Sequence, residues 1–143
     1  MMIASTTESV EIGPRYRVTR AWSTHVRRIC SFVRTHYDEP ISLQMLAACV
    51  GRNTAYTATL FHRQTGTTIH RYVTRIRMRR AAMLLRRSEK VEAVMLQVGY
   101  RGKKNFYRQF EIAFGVTPGQ YKASHARGLV TPKLAAAASA GGR

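Results

Sequence analysis

VGYRGKKNFYRQFEIAFGVTPGQYK, residues 98–122, is the stretch on which the fold turns. Gly99 marks a turn. Phe106 and Phe110 stand four apart, the spacing that puts two side chains on one helix face. Gly115 stops that helix, and Thr117-Pro118 opens another, with Thr117 as cap and Pro118 in its first turn. The same plan occurs earlier, in VGRNTAYTATLFHRQTGTTIHRY, residues 50–72. Phe61, Gly66 and Tyr72 repeat the intervals of Phe110, Gly115 and Tyr121, five positions and then six in both copies. The interval from the leading glycine to the phenylalanine is ten from Gly51 and eleven from Gly99. A short apolar helix precedes each glycine: Leu43, Leu46, Ala47 and Val50 in one copy, and Val91, Val94, Met95 and Val98 in the other.

A short helix, a glycine turn and a second helix make a helix-turn-helix. Glycine supplies the positive backbone torsion a tight interhelical turn can require, and the small Ala47 lets two helices approach closely. Two such units in register carry far more weight than one, since a lone match describes many helical hairpins. Around them the apolar period is helical throughout. Val26, Ile29, Cys30, Val33 and Tyr37 form one stripe on a helix capped by Ser23 or Thr24 and stopped at Asp38-Glu39-Pro40. Ser42 and Asn53 cap the two helices of the first unit. A long basic helix over about 68–87 joins the units, and no stretch alternates as a strand does. The expected fold is all-α: two helix-turn-helix subdomains on a long linker helix, about seven helices. Residues 1–22 read as a flexible N-terminal arm, 23–126 as the folded double helix-turn-helix body (units at about 42–65 and 91–114), and 127–143 as a disordered Ala/Gly-rich tail.

Composition narrows the partners. Among 143 residues, 24 are Lys or Arg against 7 Asp or Glu, a formal charge of +17. That excess seeks a polyanion: DNA, RNA or an anionic membrane surface. The hydrophobic fraction of 45% is enough for a core. Cys30 and Cys49 sit among apolar residues, read as small core hydrophobes, and lack zinc-site spacing. The scattered acids, and five histidines without a ligand pattern, supply no catalytic or metal constellation. Neither an enzyme nor a cofactor is expected. No signal peptide or run of about 18 apolar residues is present, so the expected location is the cytoplasm.

Three stretches carry a family resemblance: ISLQMLAACVG with F-x-x-x-x-G-T-T-I-x-x-Y-V in the first half, R-M-x-x-A-x-x-L-L from Arg77 to Leu85, and VGYRGKKNFYRQFEIAFGVTPGQYK. Over about residues 26–125 the chain resembles the DNA-binding domain of the AraC/XylS family of bacterial transcription regulators, in its short, single-domain form. The resemblance implies two recognition helices, starting near Asn53 and Lys103, set into adjacent major-groove segments of double-stranded DNA. A monomer then suffices, in a nucleoid-associated activator with RNA polymerase as a second partner. The implied DNA-binding residues are Thr54, Ala55, Tyr56, Ala58, Thr59 and Arg63 in the first unit, and Lys103, Lys104, Asn105, Tyr107 and Arg108 in the second. The first helix departs from the family pattern at Thr57, commonly a large apolar residue, and at Thr59, commonly Arg. Met95 departs too, replacing a small residue. These departures keep an alternative open, a non-specific or partly degenerate nucleic-acid binder in which only the second unit reads bases. A membrane-surface or protein-interaction module is a third reading.

Overall fold

Ser23, Ser42 and Asn53 open the first three helices. In the computed structural model, which describes residues 21–126, Ser23 Oγ accepts from Val26 N at 3.3 Å, Ser42 Oγ from Met45 N at 3.1 Å, and Asn53 Oδ1 from Tyr56 N at 2.8 Å. Each bond satisfies an amide that a helix start leaves without a partner, and is worth about 1 kcal/mol. The helices are α1 (Thr24–His36), α2 (Leu43–Cys49), α3 (Thr54–Thr65), α4 (Ile69–Arg86), α5 (Val91–Gln97), α6 (Lys103–Phe114) and α7 (Pro118–Ala126). The all-α, seven-helix expectation holds, and no strand occurs among the described residues. The expected arm and tail fall largely on 1–20 and 127–143, outside the described residues. One edge of the arm is corrected. Trp22 is only 8% exposed and belongs to a core, because an indole buries too much apolar surface to be left in water.

The chain divides into two units, one ending at Ile76 and one beginning at Arg77, so α4 serves both. The first core gathers Val26, Ile29, Cys30 and Val33 from α1, Leu46 from α2, Leu60 and Phe61 from α3, and Tyr72, Val73 and Ile76 from α4. The second unit buries Met78, Ala81 and Leu85 of α4, Val94 of α5, Phe106 and Phe110 of α6, and Tyr121 of α7. In each, the phenylalanine of the repeat meets its tyrosine edge to face. Phe61 and Tyr72 have ring centroids 5.6 Å apart at 66°, and Phe110 and Tyr121 5.4 Å apart at 77°. That geometry adds about 0.5–1.5 kcal/mol to the burial itself.

The two interhelical turns are the same hydrogen-bonded structure. After α2, Gly51 N donates to Ala48 O at 3.1 Å and Arg52 N to Ala47 O at 3.0 Å; after α5, Gly99 N donates to Leu96 O at 3.1 Å and Tyr100 N to Met95 O at 3.0 Å. This is the paired closure of a Schellman motif, and it needs a left-handed residue at the glycine. Gly51 has φ +68° and Gly99 +93°. Met95, despite its size, is buried and leaves the closure intact.

A third turn of this type follows α4, with Ser88 N donating to Leu85 O at 3.0 Å and Glu89 N to Leu84 O at 3.4 Å. Here the left-handed position holds Ser88, φ +67°, the one non-glycine residue with positive φ among those described. A Cβ in that conformation costs about 1–2 kcal/mol. Downstream, Thr117 and Gln120 form a reciprocal capping box for α7. Gln120 N donates to Thr117 Oγ1 at 3.1 Å and Thr117 N to Gln120 Oε1 at 3.0 Å.

Cys30 is wholly buried, as the sequence suggests, whereas Cys49 is half-buried at the rim. Burial pushes the Cys30 thiol up from its ordinary 9.0 to about 11, while the hydrogen bond with Tyr72 and the nearby Arg34 charge pull the other way. The Tyr72 phenol is raised as well, chiefly by burial and then by Cys30.

Ser88→Gly relieves the strained turn, offset in part by the freedom glycine gains when unfolded; urea denaturation should find it more stable by up to about 1 kcal/mol. A loss of stability would show that Ser88 is not strained. Cys30 has a folded-state pKa above its unfolded one, so its contribution is complete below about pH 9 and fades as pH rises through about 11. Wild-type stability should therefore fall over that window, and Cys30→Ala should make the fall shallower. An unchanged slope would contradict the assignment.

Candidate nucleic-acid interface

α6 is two-sided. Phe106 and Phe110 are fully buried, while Lys103, Lys104, Asn105 and Arg108 are exposed and Tyr107 is half-buried. All five predicted residues of the second unit thus share the wet side of one helix. Lys103 Nζ lies 3.7 Å from Glu92 Oε2 and 5.4 Å from the centre of the Tyr107 ring, so it is loosely drawn to its neighbours. Arg108 Nη2 donates to Asn105 Oδ1 at 3.3 Å. That contact orients the guanidinium and leaves Asn105 Oδ1 a second lone pair for an adenine amino group. A shallow cleft on this side is lined by Lys103, Lys104, Tyr107, Arg108, Glu111 and Ile112.

α3 presents a different chemistry from the corresponding side. Ala55, Tyr56, Thr59 and Arg63 are exposed, and Thr54 and Ala58 half-buried. Thr57, where α6 has Phe106, is buried, its Oγ1 donating to Asn53 O at 2.8 Å. A hydroxyl so placed satisfies itself locally and leaves less apolar bulk beneath the helix. The expected departure at Thr57 is therefore a core change rather than a surface one. Arg52 lies with its guanidinium 5.7 Å from the centre of the Tyr56 ring.

Aligning the copies on Phe61 and Phe110 exposes a contrast. α6 carries Lys103, Lys104 and Arg108 in its first half and Glu111 and Ile112 in its second; α3 starts on Thr54 and Ala55 and carries His62 and Arg63 in its second half. The charge sits at opposite ends of the two helices. Glu111 and the 55%-exposed Ile112 were missed as candidates, although the i, i+4 rows running back to Tyr107 and Arg108 point to them. Elsewhere Arg77 has a structural place, its guanidinium 5.5 Å from the centre of the buried Tyr100 ring. Among the described residues no group of His, Cys, Asp or Glu is placed to hold a metal ion, and no helix is long and apolar enough to cross a membrane.

A family model for the AraC-type fold, described as "Helix-turn-helix domain", matches residues 46–124, more than half the chain. The chain belongs to the AraC/XylS family. Its AraC-type domain is similar to the C-terminal domain of AraT, a response regulator from Geobacillus stearothermophilus, with TM-score 0.70 and 26% identity, covering 73% of this chain and 88% of that one. The melibiose operon regulatory protein of Escherichia coli K12 is 27% identical over 106 residues, 73% of this chain but 35% of its own length. The regulatory protein SoxS of Salmonella typhimurium is 26% identical over 98 residues, 68% of this chain and 92% of its own. The chain thus spans about a third of the melibiose operon regulatory protein and most of SoxS. It is an AraC-family DNA-binding domain, a module found in transcription regulators.

Proposed function

We propose that the chain regulates transcription by laying α3 and α6 into two adjacent major-groove segments on one face of double-stranded DNA, about 34 Å apart. The observation that carries this reading is the two-sidedness of α6, with Phe106 and Phe110 buried and Lys103, Lys104, Asn105 and Arg108 held in water. On it, Arg108 pairs with a guanine edge, Asn105 with adenine, and Lys103 and Lys104 with phosphates. Tyr107 completes the α6 contact surface. In the first unit Ala55, Ala58 and Thr59 touch thymine methyls, Thr54 and Tyr56 reach the backbone, and Arg63 meets phosphate. The charge of +17 makes binding tight at low salt and steeply salt-dependent.

One chain carries both readers, so a monomer suffices. By family habit it acts in the bacterial cytoplasm, associated with the nucleoid, as an activator with RNA polymerase as its protein partner. A second reading has a specific observation in its favour: the first two turns of α3 present no cation. On that reading α6 alone selects sequence, and α3 adds affinity.

Selection of bound duplexes from a random library separates the two. An enriched motif in two blocks one helical turn apart supports the proposal, a single block supports the second reading, and a flat profile overturns both. Arg108→Ala should lose about 1–3 kcal/mol of discrimination at one base pair. An equal loss on every sequence would mean that Arg108 meets only phosphate.

A further inference from the structure

We propose that Glu111 is a specificity-determining residue of α6, accepting a hydrogen bond from the exocyclic amino group of a cytosine in the major groove. The inference rests on the reading of α6 as a recognition helix and adds a contact that lies outside that set. At about 100° per residue, Glu111 falls between the directions of Tyr107 and Lys104, near the middle of the arc that Lys103, Tyr107, Lys104 and Arg108 subtend. It is exposed and lines the same cleft as those four residues. It is therefore not a bystander on the flank of the helix.

A carboxylate there is costly unless a specific partner meets it. The phosphate backbone repels it, and a helix built only to grip phosphate gains from a cation or a neutral group at that place. The first copy illustrates the alternative, with His62 at the matching position of α3. The ion pair recorded on this side goes to a different acid: Lys103 is drawn to Glu92, 3.7 Å away. Among the groups that line a major groove, those able to donate to a carboxylate are the amino groups of cytosine and adenine. A single carboxylate suits cytosine N4, whereas adenine offers a donor and an acceptor side by side, which suits an amide. Ile112, beside it and 55% exposed, supplies an apolar neighbour for a pyrimidine edge.

The test compares library-selected motifs for the wild type, Glu111→Ala and Glu111→Gln, with circular dichroism melting of all three to establish equal folding. The wild type should select cytosine at one position on the α6 side of the motif. Glu111→Ala should flatten that position by about tenfold while tightening binding to unrelated duplexes, since a repelled charge is gone. Glu111→Gln should move the preference toward adenine. An unchanged base profile in both variants overturns the inference and leaves the two-reader proposal standing. A wild-type profile with no motif overturns both.

Discussion

An aromatic edge set against an aromatic face holds the second helix of each helix-turn-helix in place. Phe61 meets Tyr72, and Phe110 meets Tyr121, at nearly the same distance and tilt. Each contact ties the second helix of a helix-turn-helix to the helix that follows it. Because the phenylalanine is buried on one side, the residues two places before and after it, Thr59 and Arg63 in one copy and Arg108 and Ile112 in the other, are turned to water. Removing either ring would cost about 3–5 kcal/mol and would release the helix rather than merely weaken it. Presentation of polar residues toward a ligand is thus a consequence of core packing.

Around that shared contact the copies have diverged in how they fill their cores. Beneath α3 the work is polar: buried Thr65 Oγ1 donates to Phe61 O at 2.7 Å and accepts from Thr67 N at 3.2 Å, closing the turn around Gly66. At the matching position of α6 stands Phe114, 4.6 Å from Phe110 and 5.3 Å from Tyr121, ring centre to ring centre. Thr57 against Phe106 follows the same trend. The second unit rests on aromatic contacts where the first rests on threonine hydroxyls bonded to the backbone. The outer sides diverge in parallel, one short of hydrogen-bonding groups at its start and the other rich in them.

Much of this was legible in the sequence, for identifiable reasons. Side-chain caps at Ser23, Ser42, Asn53 and Thr117 announce helix starts because few residue types perform that task. Gly51 and Gly99 announce turns because the left-handed conformation excludes most others. What escaped lacked such a marker. Trp22 stands four places before Val26 but ahead of the Ser23 cap, so it continues the apolar stripe beyond the helix start, and tertiary packing recruits it to a core. Ser88 occupies a left-handed turn without the glycine that would advertise it. α6 begins after Gly102 with no side-chain cap bond, so its start is set by the repeat and not by local chemistry. Glu111 was passed over because an acid runs against the charge of the chain, and its central place on the helix emerges only once the buried side is fixed.

Ethylation interference on a selected duplex, read at one chain per duplex, should reveal two clusters of blocked phosphates on one face of the DNA, one helical turn apart, with Arg108→Ala changing sequence preference inside only one of them. A single cluster, or two clusters on opposite faces, would contradict the claim that one chain reads successive major-groove segments.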